Sequence, residues 1–162
     1  LRNFENFSAM VVDSKTLERL RRNYENKKEL IVRDLDNRCI LCGKEANSYH
    51  HLVPLKYSKG YEKYINRSYN LVPCCLRPGS WCHFKLNGVS WCFLSQNRKY
   101  FGKVPLEVLS LLIKDWIIRN KEELLEKKAV DLKENMKIQF LRLKNSSLEV
   151  KYEKEKHFYR VV

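Results

Sequence analysis

Glycine and proline are scarce, five and four in 162 residues. That is too few for a long flexible linker, so the chain should fold as one domain or as a core with helical extensions. No apolar run approaches the roughly 20 residues that span a bilayer, which excludes a membrane-spanning helix and a membrane partner. No basic, apolar and small-residue succession near Leu1 marks a secretory signal, so an intracellular chain, cytoplasmic or DNA-associated, is expected. In such a setting the six cysteines are better read as metal ligands or small buried hydrophobes than as disulfides. Carboxylates are scarce only locally. Residues 39–103 hold ten Lys and Arg but two acidic side chains, against nine and seven in residues 1–38 and thirteen and ten in residues 104–162. Most of the net charge of +13 therefore falls on the middle segment, and a polyanion such as DNA is the partner it favours.

The same segment carries the unusual residue types. Cys39-Ile-Leu-Cys42-Gly43 has the form of a zinc knuckle: two thiolates two residues apart turn toward one ion, and the glycine permits the bend that follows. The second pair must come from Cys74, Cys75, Cys82 and Cys92. Asn70 to Cys74 reads as a short apolar strand, on which neighbours face opposite ways, so Cys74 turns to the core and Cys75 to the metal. Cys92 lies in the apolar run Val89 to Leu94 and belongs to the core. The expected structural zinc site is thus Cys39, Cys42, Cys75 and Cys82.

Around this frame the pattern predicts an α+β fold with three regions: a helical extension over 1–38, a core over 39–103, and a helical region over 104–162. Asp13 or Ser14 caps a first helix with Leu17, Leu20, Tyr24, Ile31 and Leu35 on its apolar positions, ending before Asn37. Residues 48–54 and 70–75 are strand candidates. Between them Lys56, Tyr57, Lys59, Tyr61, Lys63, Tyr64, Arg67 and Tyr69 interleave, either as a nucleic-acid contact surface or as a cover for a small core. Ser80 is placed to cap a short helix over 81–87, closed by Gly88. Pro105 opens a further helix through Leu106, Leu109, Leu112, Ile113, Trp116 and Ile117, expected to pack on the first. Residues 121–135 read as a charged helix. Beyond them, either a hairpin pairs 137–144 with 148–162 around Asn145-Ser146-Ser147, or a helix continues to Leu143. His157 stands apart from the other histidines and reads as ordinary surface or packing.

Taken in order, Cys-x2-Cys-Gly, His50-His51-Leu52-Val53-Pro54, Asn70-Leu71-Val72, Cys75 and Cys82-His83 resemble the HNH endonucleases over about a third of the chain, Cys39 to Gly88. The resemblance implies a small ββα-metal core, here with a structural zinc. It implies hydrolysis of DNA phosphodiester bonds on a single divalent ion, Mg2+ or Mn2+, leaving 5′-phosphate and 3′-hydroxyl ends. It further implies His51 as general base, His50 and His83 as ligands of the catalytic ion, Asn87 as a third ligand, and Asn70 as the residue that braces the loop and orients the base. Lys56, Lys59, Lys63, Arg67 and Lys85 are the expected DNA contacts. The chemistry suits these types: a neutral imidazole can deprotonate water near neutral pH, and a cation can neutralise the phosphate. A regular strand turns His50 and His51 to opposite faces, and the six-residue insert between Cys75 and Cys82 must bulge out to leave both thiols in place. A homodimer through the helices near 14–36 and 105–118 would cut both strands. Two rival readings remain: a zinc-stabilised nucleic-acid-binding module without catalysis, which has no use for His51, and a phosphodiesterase acting on RNA or a nucleotide.

Overall fold

The computed structural model describes residues 8–78 and 80–138, and beyond them the backbone of 143–144, 147–148, 150–153 and 158–161. Helix α1, Ser14–Val32, begins at Asp13, whose carboxylate accepts the backbone N–H of Thr16 at 2.7 Å and so satisfies an otherwise orphaned donor. Its buried face carries Leu20 and Tyr24. Strands β1, Ser48–His51, and β2, Leu71–Cys74, pair antiparallel with His50 opposite Val72 and His51 opposite Leu71. Helix α2, Cys82–Gln96, follows β2, and helix α3, Leu106–Glu126, leads into a 3-10 segment, Ala129–Met136. Among the described residues no helix is long and apolar enough to cross a membrane.

The core gathers where these elements meet. Leu52, Val53, Ile65, Val72, Leu86, Val89, Ile113 and Ile117 are buried in one cluster. Polar locks hold it in register. Buried Asn70 donates to the carbonyls of Val53 (3.0 Å) and Ile65 (2.9 Å), and its Oδ1 accepts from Val53 N–H (2.9 Å) and from the Ser110 hydroxyl (2.8 Å). Asn97 does the same farther on: its amide N–H groups reach the carbonyls of Phe93 and Met136, both at 2.8 Å, while its Oδ1 accepts from Ile138 N–H at 2.7 Å. Because both amide protons of each residue and the Oδ1 atoms have partners, these buried amides cost little and fix one packing arrangement.

Several expectations are corrected. The helix after Cys82 does not stop at Gly88 but runs eight residues further, to Gln96. A Cβ at residue 88 would lie 3.3 Å from Ala129 Cβ, so the glycine serves close packing of the 3-10 segment against α2, not helix termination. Ser80 is not the cap: Trp81 holds that position, without a side-chain cap bond. Helix α3 packs on the Ser68–Asn70 turn and α2, whereas α1 packs on the Leu55–Tyr57 turn. Only 121–126 of the charged 121–135 stretch is α-helical. Among the described C-terminal residues Leu143–Lys144 pairs antiparallel with Ser147–Leu148, across the turn of the expected hairpin and against a helix to Leu143, while Val150–Glu153 pairs with Phe158–Val161 in a second ladder. His157 and the Asn145-Ser146 turn lie outside the described residues.

Candidate metal centre and catalytic cleft

The knuckle forms as its sequence dictates. Gly43 takes φ 77°, its N–H donates to the Cys39 carbonyl (2.9 Å), Cys39 N–H donates to the Lys44 carbonyl (2.7 Å), and Ile40 N–H anchors the turn to Pro73 of β2 (2.9 Å). The Sγ atoms of Cys39, Cys42, Cys75 and Cys82 all lie within 4.8 Å of one another. Thiolates about 2.3 Å from a tetrahedral zinc stand about 3.8 Å apart, and the Cys42 and Cys75 sulfurs are 3.6 Å apart. This donor set fits zinc, and it is the one His, Cys, Asp and Glu group of such compactness among the described residues. Burial raises the Cys42 thiol, but the Lys44 backbone N–H and the neighbouring thiols outweigh it and bring Cys42 down to about 7. Burial pushes Cys75 and Cys82 up, so those two depend on the ion for their deprotonation. Cys74 and Cys92 are buried outside the cluster. The insert after Cys75 is pinned at its base: the Asn47 amide exchanges hydrogen bonds with Leu76 N–H (2.7 Å) and C=O (3.1 Å).

A second site opens beside the sheet as a cleft of about 560 Å³ between α1, β1 and α2, bordered by His50, His51, His83 and Asn87. His50 and His51 contact different helices yet both border this one cleft, which corrects the expectation that a regular strand turns them to opposite faces. His50 is buried, with Nε2 2.8 Å from Ser90 Oγ of α2 and its ring 5.6 Å, centroid to centroid, from that of His83. His51 turns toward α1, where the Tyr24 ring meets it edge-on at 4.8 Å. Its Nε2 lies 2.8 Å from Asn66 Oδ1, and the Asn66 amide is itself oriented by donating to the Leu20 carbonyl at 3.1 Å. With Oδ1 thus facing the ring, Nε2 must carry the proton and Nδ1 keeps its lone pair.

Burial, with a small contribution from the His83 and His51 charges, lowers His50 to about 3. Burial also lowers His51, to about 4, against the opposing pull of Asn66. Both rings are therefore neutral at pH 7, as a base or a metal ligand must be. Asn87, one turn after His83, donates to His83 Nδ1 at 3.4 Å. His83 and Asn87 border the cleft together with His50. Asn70 braces the loop after β1 through Val53, while the side chain that bonds the His51 ring is Asn66. Asn66 carried no sequence signal beyond its place in the basic loop. Glu25 and Arg21 of α1 also line the cleft.

Among the expected DNA contacts, Lys56, Lys59, Lys63 and Arg67 are exposed on one loop, with Lys63 and Arg67 both over the exposed Tyr64 ring. Buried Tyr61 instead covers the core: its hydroxyl donates to the Val104 carbonyl and accepts from Gly102 N–H. Of the two roles read from its sequence, core covering is the one Tyr61 fulfils. Lys85 is engaged inside the protein, its ammonium donating to the Leu124 carbonyl near the end of α3.

Two results follow from this geometry. Asn66→Ala should release the His51 ring from the Nε2–H tautomer that the Asn66 carbonyl enforces, while Asn66→Asp, which keeps an acceptor for Nε2–H, should retain it. Nitrogen-15 NMR of the imidazole reads the tautomer, and an unchanged tautomer in Asn66→Ala would refute the assignment. The second concerns pH. From pH 6.5 downward the unfolded chain protonates His50 but the native chain does not, so stability falls with acid by about 1.4 kcal/mol per pH unit for that residue. In urea unfolding at fixed zinc between pH 6.5 and 5, His50→Gln should remove this slope, and an unchanged slope would contradict the neutral buried ring.

Compared with protein-family models, with curated proteins and with solved structures, the chain matches none.

Proposed function

We propose that this chain is a metal-dependent DNA endonuclease of the HNH, ββα-metal type. The observation that carries the reading is the neutral His51 imidazole, its Nε2–H tied to Asn66 and its Nδ1 left as a lone pair, beside a His50 and His83 pair across the same cleft. A surface histidine needs no such orientation, and a purely structural pair needs no open cleft. In this mechanism His51 Nδ1 takes the proton of the attacking water while Asn66 holds the ring. His50, kept in place by Ser90, and His83, with Asn87, would hold the Mg2+ or Mn2+, which when bound neutralises the phosphate and the departing 3′ oxygen. Lys56 at the cleft edge and the cations of the 56–67 loop hold the phosphate backbone, so affinity should fall steeply with salt. Water attack with departure of the 3′ oxygen leaves 5′-phosphate and 3′-hydroxyl ends. The zinc cluster bears on position only, by tying the knuckle, β2 and the start of α2 together.

Exposed Leu111, Ile118 and Leu125 recur every seven residues along α3, and a homodimer formed there would deliver a double-strand break where a monomer nicks. The test is incubation of supercoiled plasmid with the zinc-loaded protein and Mg2+ or Mn2+, with end mapping. Relaxed or linear product bearing those ends supports the proposal. Retention without cleavage would favour a non-catalytic zinc module, and loss of RNA alone would favour a phosphodiesterase on that substrate.

A further inference from the structure

The outer face of α2 is apolar where a soluble helix should be polar. Trp81, just before it, is 65% exposed, Phe84 68% and Trp91 45%. At 100° per residue Phe84 and Trp91 lie within a few tens of degrees of each other, with Asn87 between them in sequence and His83 on the adjoining edge. The Trp81 and Phe84 rings meet edge-to-face at 6.0 Å. Phe84 and Trp91 therefore lie on the face of α2 next to the one that carries His83 and Asn87, which border the cleft. Exposed aromatic surface of this extent marks a contact site.

Charge decides what the strip contacts. Between Glu62 and Glu107 there is no carboxylate side chain, while seven Lys and Arg occupy the interval. At the start of α2, Trp81 shares a pocket of about 390 Å³ with Arg77 and Lys44. At its end, Ser95, one turn beyond Trp91, lines a pocket of about 580 Å³ whose charged groups are Lys59, Arg98 and Lys99. Cations near both ends of a helix about 22 Å long, with exposed rings between them, match a strand that offers flat bases and spaced phosphates together. A protein partner for the same rings would more usually bring mixed charge. Paired bases keep their faces covered in the duplex, and only an unpaired strand can present them for stacking.

We infer that the Trp81, Phe84 and Trp91 strip binds an unpaired nucleic-acid strand by base stacking and leads it past the cleft. The substrate of the proposed nuclease is then nucleic acid with an unpaired strand, free or locally opened within a duplex as in a supercoiled plasmid. The inference extends the endonuclease reading, but its test does not depend on cleavage.

Fluorescence titration and competition would be run on zinc-loaded protein in the His51→Ala background, without Mg2+, against single-stranded DNA, single-stranded RNA and duplex DNA of equal length. Phe84→Ala and Trp91→Ala, both at exposed positions, should each weaken single-strand affinity by about tenfold at fixed salt, as loss of one base stack would. Duplex affinity should change by less than about twofold, since phosphate contacts remain. Phe84→Tyr should restore binding. A larger loss on RNA than on DNA also supports the strip and identifies RNA as its strand. Unchanged single-strand affinity, equal losses on duplex, or a loss of self-association by sedimentation with strand binding intact would each overturn it. Absence of cleavage on every substrate by the otherwise unaltered protein, with stacking intact, would overturn the nuclease reading alone.

Discussion

In the proposed nuclease, His51→Ala should cut the rate of DNA cleavage by about a thousandfold, within the range of general-base losses, while DNA affinity stays within about twofold because the proposed phosphate contacts are elsewhere. The two effects separate because His51 and the cations occupy different surfaces. The His51 ring touches Tyr24 and Asn66 at the wall of the cleft, whereas Lys59, Lys63 and Arg67 stand exposed along the following loop. No other described imidazole on the cleft can substitute: His50 is committed to Ser90 and His83 pairs with Asn87. Single-turnover nicking of plasmid DNA and filter binding across a salt series would measure both quantities. A His51→Ala protein that cuts at near the wild-type rate would remove the base from the mechanism. One that loses binding in step with cleavage would place His51 in a contact role instead.

What could be read in advance follows from how local the forces are. The Asp13 cap, the Gly43 bend and the opposite facing of Cys74 and Cys75 depend on a few neighbouring residues, and their outcome was legible in the sequence. Strand alternation did not carry as far for His50 and His51, since both border one cleft. Asn66 was not legible, because its partners are Leu20 and His51, 46 and 15 residues away, and nothing in a basic Tyr and Lys loop marks one amide as different. Gly88 misled for the same reason. Taken alone it reads as a helix stop, but the segment that needs its missing Cβ arrives 41 residues later at Ala129. Lys85 likewise looks like a surface cation until α3 brings the Leu124 carbonyl to it. The residue types announced the candidate site; tertiary contacts decided which of them orient the others.

The thiols give the second large effect, and adjacent residues make the comparison internal. Cys75→Ala should lose the bound zinc and with it cooperative folding, since structural zinc in small domains is worth about 10–16 kcal/mol. Cys75 joins Cys42 at 3.6 Å, and its carbonyl accepts the N–H of His83 at 3.2 Å, so the metal cluster and the first turn of α2 share one backbone position. Loss of a metal from this cluster should therefore free the His83 end of the cleft and, in the proposed nuclease, abolish cleavage as well. Cys74→Ala, one residue away, removes only a buried thiol packed in the core and should cost about 1–2 kcal/mol with zinc content unchanged. Metal analysis of the purified variants, followed by urea unfolding, distinguishes them. If Cys74→Ala lost the ion and Cys75→Ala kept it, the strand would have to present the other face to the metal, and the coupling of the cluster to α2 through Cys75 would fall with it.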